Sequence, residues 1–139
     1  MRTAGFEQAM QRAGLEVAAA IRPATPNARV FDEVCAALTG PERPTAMVVQ
    51  GTPALLSALT AIARMGLRVP EDVSIIAVGD SALSEEHVPA ITALRLDRDA
   101  LVDRIANRVL ARIRGEVRGH EDSELAYTLV ERASCVRLG

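Results

Sequence analysis

At 139 residues the chain is one domain's worth, long enough for a real core, and with 49% hydrophobic and 24% charged residues and a net charge of −2 it has the balance of an ordinary soluble protein. No run approaches the roughly 18 apolar residues that span a bilayer, and no basic N-terminal start leads into an apolar stretch, which excludes a helical membrane span, argues against a secretion signal and favours the cytosol. Aromatic residues make up only 2%, so the core has to be built from Ala, Val, Leu and Ile.

Thr3 to Ala13 reads as a helix, with Phe6, Ala9, Met10 and Ala13 at helical spacing and Gly14 as its stop. Leu15 to Ile21 is expected as a strand rich in small residues. The loop from Arg22 to Asn27 carries Pro23 and Pro26, which end that strand, and Ala28 to Thr39 follows as a helix with Val30, Phe31, Val34 and Leu38 facing inward. Cys35 falls inside that apolar stretch and Cys135 is isolated, so neither has metal-like spacing and Cys35 reads as a small buried hydrophobe.

Thr45 to Asp80 reads as strand, helix, strand. Ala46 to Val49 is a short apolar run without alternation, which suits a parallel strand buried on both faces. Thr52 as N-cap, Pro53 at the first helical position and Gly66 just past the end frame a helix with Leu55, Leu56, Leu59, Ile62 and Ala63 in one apolar stripe. After the Pro70-Glu71-Asp72 turn, Val73 to Val78 is a second apolar run, and a right-handed crossover makes the two strands parallel. Ser81 to His87 is expected as one irregular or 3₁₀ turn leading to a strand at Thr92–Leu96. Asp97 can cap a long helix from Arg98 to Arg114, with Leu101, Val102, Ile105, Val109, Leu110 and Ile113 on a broad apolar face and Gly115 as its end. A polar loop over 119–123 and a last strand from Glu124 to Glu131 complete the chain. The alternation predicts an α/β fold with a mostly parallel sheet and helices on both faces.

The phrases Arg2-x-x-Gly5-Phe6, Gly66 to Ile76, Pro89 to Asp97 and Leu129 to Ser134 together resemble those of the LacI/GalR family of bacterial transcription regulators. Gly66-Leu67-Arg68-Val69-Pro70-Glu71-Asp72-Val73-Ser74-Ile75-Ile76 is similar to the family's "G-L-x-V-P-x-D-x-S-V-x-G" phrase. Arg2-x-x-Gly5-Phe6 resembles its "R-x-x-G-F" helix start, Pro89-x-Ile91-Thr92-x-Leu94-Arg95-x-Asp97 its "P-x-L-T-T-V-x-Q-D" segment, and Leu129-Val130-x-Arg132-x-Ser134 its closing "L-V-x-R-x-S-T". The resemblance implies a periplasmic-binding-protein-like type I fold, represented mainly by the C-terminal lobe of the effector-binding domain. It also implies a longer parent protein, in which a helix-turn-helix and most of a first lobe come earlier and DNA is contacted only through that head. No cofactor, metal or catalysis is implied.

Ligands of open α/β sheets sit at the carboxyl ends of strands. Those ends here are Gln50-Gly51-Thr52 and Gly79-Asp80-Ser81. By resemblance Gly51, Thr52, Gly79 and Asp80 occupy effector-contact positions, Arg2 matches the family's pocket arginine, and Thr25 lies on a loop facing the cleft. Gly51 and Gly79 replace polar residues of the family pattern, which removes hydrogen-bonding side chains that a sugar would need. The effector is therefore either other than a simple sugar or no longer sensed. The resemblance also places Leu56 and His87 in a homodimer interface, where the bland reading of His87 is a surface histidine beside an acidic pair. Arg104, Arg108 and Arg112 repeat every four residues and read as a solvated face.

The expected function is effector sensing and dimerisation within a regulator that controls DNA binding in response to a small molecule; the family implies a sugar or sugar-like effector, from which this pocket departs. The alternative is a fragment of a periplasmic-type solute-binding protein, which shares the fold. An enzyme finds no support: there is no glycine-rich phosphate loop, no metal cluster and no nucleophile elbow. One physical problem accompanies the family reading. The helix over 98–114 would lack the first lobe as its cover, so it is expected to be buried against a second copy or refolded onto the chain's own sheet.

Overall fold

The computed structural model describes residues 2–18, 20–21, 30–116 and 126–136. Helices α1 (Arg2–Arg12) and α2 (Val30–Thr39) precede β1 (Ala46–Gln50), α3 (Thr52–Arg64) and β2 (Ser74–Val78). After these come α4 (Ala82–Glu86), β3 (Thr92–Leu96), α5 (Arg98–Ile113) and β4 (Tyr127–Val130). The strands form one sheet in the order β1-β2-β3-β4, with the first three parallel and β4 antiparallel to β3.

Side chains alternate across a strand, so the register shows which residues share a face. Met47 and Val49 stand beside Ile75 and Ala77, and Ala77 stands beside Ala93. On this face the sheet meets Val34 and Leu38 of α2 and Leu55, Ala58, Leu59 and Ile62 of α3, all buried. The core is aliphatic throughout, as the scarcity of aromatic residues requires. Phe31 stands at its margin, with the Arg64 guanidinium 5.9 Å from the ring centroid.

The helix α3 begins one residue earlier than its sequence suggests. Gly51, not Thr52, is the N-cap, because its φ of 88° is a conformation that glycine adopts without steric cost, and Thr52 and Pro53 then enter the first turn. At the other end Gly66 donates to the Ala63 carbonyl and Leu67 to the Ile62 carbonyl, the paired bonds of a Schellman close. The buried stripe of α3 is also rotated from the expected one. Leu55, Ala58, Leu59, Ala61 and Ile62 are inside, whereas Leu56 and Ala63 are exposed.

Other expectations are corrected. Leu15 to Ile21 forms no strand among its described residues, and Leu15 is exposed. Its run of alanines has weak strand preference and little side chain to bury against a neighbour. β1 is consequently an edge, and of its five residues only Val49 is buried, not both faces as its unbroken apolar run suggests. The turn after Asp80 is a short α-helix, α4. The last strand is confined to Tyr127–Val130 among the described residues, and the loops at 22–27 and 119–123 lie outside them.

Asp97 caps α5 as its position predicts, its Oδ1 accepting from the Ala100 N–H at 3.0 Å. The helix does not refold onto the chain's own sheet: all 16 of its residues stay short of burial, and Val102, Ile105, Val109, Leu110 and Ile113 are exposed. Among the described residues no helix is long and apolar enough to cross a membrane.

Candidate functional site

Three parallel strands end side by side. The Gly51 N–H donates to the Val78 carbonyl at 3.3 Å, and the Gly79 N–H to the Leu94 carbonyl at 3.0 Å, which sets Gly51, Gly79 and Arg95 at the adjacent carboxyl ends of β1, β2 and β3. A Cβ at Gly79 would meet nothing within 4 Å, and one at Gly51 only the Pro53 Cδ at 4.0 Å. Space is therefore open above both glycines. Their φ values of 88° and 102° are what favour glycine there.

Asp80 follows directly and is the electrostatic centre of this edge. Its Oδ1 accepts from the Ser81 N–H at 3.1 Å and Arg132 Nη1 at 2.9 Å. Its Oδ2 accepts from Arg95 Nε and Nη2 at 2.9 and 2.6 Å and from Arg132 Nη2 at 2.9 Å. A carboxylate has about four lone-pair sites, so these donors saturate it. The side chains of Asp80 and Arg132 are only 9% and 12% exposed, while that of Arg95 is 53% exposed. The Arg132 hydrogen bonds, then those of Arg95, hold the Asp80 carboxyl down at about 2 against the opposing effect of burial. The same pairing raises Arg132.

The anchor continues into the sheet. Arg132 Nη1 also donates to the Ile91 carbonyl at 2.7 Å, and the Arg132 N–H donates to Thr92 Oγ1 at 3.0 Å. Buried Ser134 accepts from the Thr92 N–H at 2.8 Å and donates to the Ile75 carbonyl at 2.6 Å. The segment after β4 is thereby tied to both β2 and β3. Among the described residues no buried side-chain polar atom lacks a partner.

The structure brings Gly51, Thr52, Gly79 and Asp80 to one edge, with Thr52 exposed. Thr25 and the side chain of Arg2 lie outside the described residues. Leu56 projects from α3 at 55% exposure. His87 closes α4, half-buried, with Nδ1 2.9 Å from the Pro89 carbonyl. Arg95, Arg132 and Ser134 carry the electrostatics and anchoring that sequence reasoning had not assigned to them. The signal was present, since all three lie inside the motif phrases, but nothing in their spacing shows that Asp80 joins two of them. A separate open groove is lined by Ala4, Gly5, Glu7, Gln8, Gln11, Leu15 and Val17, and includes none of the candidate ligand residues. Among the described residues no group of three His, Cys, Asp or Glu side chains could hold a metal.

An open, mostly parallel sheet whose strand ends form the candidate site is the arrangement of a ligand-binding lobe. The chain belongs to the periplasmic binding protein-like domain family, which it matches over residues 1–135. Within that class its relatives are LacI-family transcription regulators. It is 32% identical to the HTH-type transcriptional repressor PurR of Escherichia coli O139:H28 (strain E24377A / ETEC), over 96% of this chain and 40% of the repressor. A LacI family transcriptional regulator from Bifidobacterium animalis subsp. lactis DSM 10140 superposes with a TM-score of 0.81 at 30% identity, covering 96% of this chain and 49% of that one. The Lac repressor dimer bound to operator and the anti-inducer ONPF gives 0.84 at 27% identity, covering 98% and 47%. The chain thus spans less than half the length of these relatives.

Proposed function

We propose that this chain is the effector-sensing and dimerising part of a LacI-type transcription regulator. The observation that carries the reading is the family match over nearly the whole chain, joined to a strand-end edge where the fold binds ligands. In the intact protein a small molecule held at that edge and by a second lobe would favour one arrangement of the two lobes, and the dimer would pass that bias to DNA-binding heads outside this chain. Exposed Leu56 on α3 and exposed Val88 after α4 supply apolar side chains for a second copy, with half-buried His87 beside Val88. The proposed role is regulatory rather than catalytic, and its compartment is the cytosol.

The test is binding of a panel of monosaccharides, nucleobases and small anions to the intact regulator, followed by operator affinity with and without each ligand. A ligand that changes operator affinity is the expected result. A parent gene encoding a secretion signal and no helix-turn-helix would instead favour the solute-binding alternative, which the same fold can serve.

A further inference from the structure

Building on that reading, we infer that Arg95, clamped by Asp80 beside Gly51 and Gly79, is the specificity-determining residue of the strand-end site and selects an effector bearing an oxyanion, carboxylate or phosphate. The donors and acceptors along the edge set what it can bind. A neutral polyol offers hydroxyls that both donate and accept, so its site needs placed acceptors as well as donors. Along this edge the Asp80 carboxylate already receives two N–H groups on Oδ1 and three on Oδ2, and the Asp97 carboxylate just past β3 caps α5 through Oδ1. At Gly51 and Gly79 there is no side chain, only open space.

The cation is placed differently. Arg132 is nearly buried and divided between Asp80 and the Ile91 carbonyl, with Glu85 also acting on its charge. Arg95 is half exposed and meets Asp80 through Nε and Nη2 on a single oxygen. A guanidinium has five N–H donors in a rigid plane, so it can hold Asp80 along one edge and present another outward. A donor-only, planar, cationic group is matched by an acceptor-only anion. Asp80 is then a positioning residue: it fixes the arginine's plane, and the open floor over the two glycines leaves room for the body of the ligand.

The experiment is a titration of the isotopically labelled chain, followed by amide NMR, with inorganic phosphate, acetate and glucose in turn at constant ionic strength. The expected result is that phosphate or acetate moves the signals of Gly51, Gly79 and Arg95, and the stronger of the two identifies the anion class. Arg95→Gln should weaken that response about tenfold, as loss of one charged hydrogen-bonding group predicts. Arg112→Gln, on the exposed surface of α5, should leave it unchanged. Should Arg95→Gln fail to fold, Arg95→Lys carries the test, with an intermediate affinity expected from a charge that lacks the fork. Equal phosphate binding by the native and Arg95 variants would mean an adventitious ion only and would overturn the inference. Glucose moving the same signals equally in both would also overturn it while leaving the sensing role intact. Silence toward all three probes at these residues would overturn the inference and count against effector binding at this edge.

Discussion

Asp80 shows how one carboxylate can hold together the edge where three strands end. Its carboxyl, with the usual value of 3.8, is held at about 2 in the folded chain, chiefly by Arg132 and then by Arg95. A depressed carboxyl contributes stability that is fully present above its unfolded value and lost as the pH falls through the folded one. The window is therefore about pH 4 down to 2, and the loss is about 2 kcal/mol. Urea unfolding midpoints measured across that range should fall for the native chain and stay flatter for Asp80→Ala, and parallel curves would refute the coupling. At neutral pH Asp80→Ala should cost roughly 3 kcal/mol, since it strands the nearly buried Arg132 while the half-exposed Arg95 can turn to water. Ser134 makes a neutral counterpart. Its hydroxyl joins the Thr92 N–H to the Ile75 carbonyl inside the sheet, so Ser134→Ala should cost roughly 1–3 kcal/mol in the same unfolding measurement. A loss below about 0.5 kcal/mol, the scatter of ordinary surface changes, would mean that other donors replace it.

The helix α3 separates stability from association by one residue. Leu55 is 1% exposed and Leu56 is 55% exposed. Leu55→Ala should lower stability by roughly 2–5 kcal/mol, whereas Leu56→Ala should change monomer stability by no more than about 0.5 kcal/mol. If α3 forms the contact between copies, Leu56→Ala should instead weaken the dimer, read by sedimentation at several concentrations. The sequence made the helix legible through Pro53 and Gly66, but not which leucine turns inward. Leu55 and Leu56 both fit an apolar stripe, and the choice follows from the packing of α3 on α2 and β1, which covers Leu55 and leaves Leu56 outside. The strand ends were readable because the β/α alternation and the apolar runs at Ala46 and Val73 place them. The clasp was not, since it joins Asp80 to residues 15 and 52 positions away. Leu15 to Ile21 illustrates the opposite failure, where local apolarity suggests a strand and no pairing partner completes it among the described residues.

At the scale of the molecule the unmatched feature is α5. Its exposed Val102, Ile105, Val109, Leu110 and Ile113 lie on one helix that buries none of its residues, and Tyr127 and Leu129 on β4 are exposed as well. Contiguous apolar surface of this kind marks an association site or an aggregation hazard. With refolding onto the sheet ruled out by the geometry, shielding by a second copy is the outcome expected of this chain alone. Light scattering across a concentration series should show a mass that rises above the monomer. Val109→Asp should return the chain to monomer without moving its urea midpoint in dilute solution, because the residue it replaces supports no core. Leu56→Ala, measured beside it, identifies the surface responsible. If only Leu56→Ala dissociates the dimer, the copies meet through α3 and α5 stays open to a partner lobe. If only Val109→Asp does so, α5 is the contact, and the mass then reports the cover that this helix lacks rather than the interface proposed for the regulator. A monomer at every concentration would overturn both expectations.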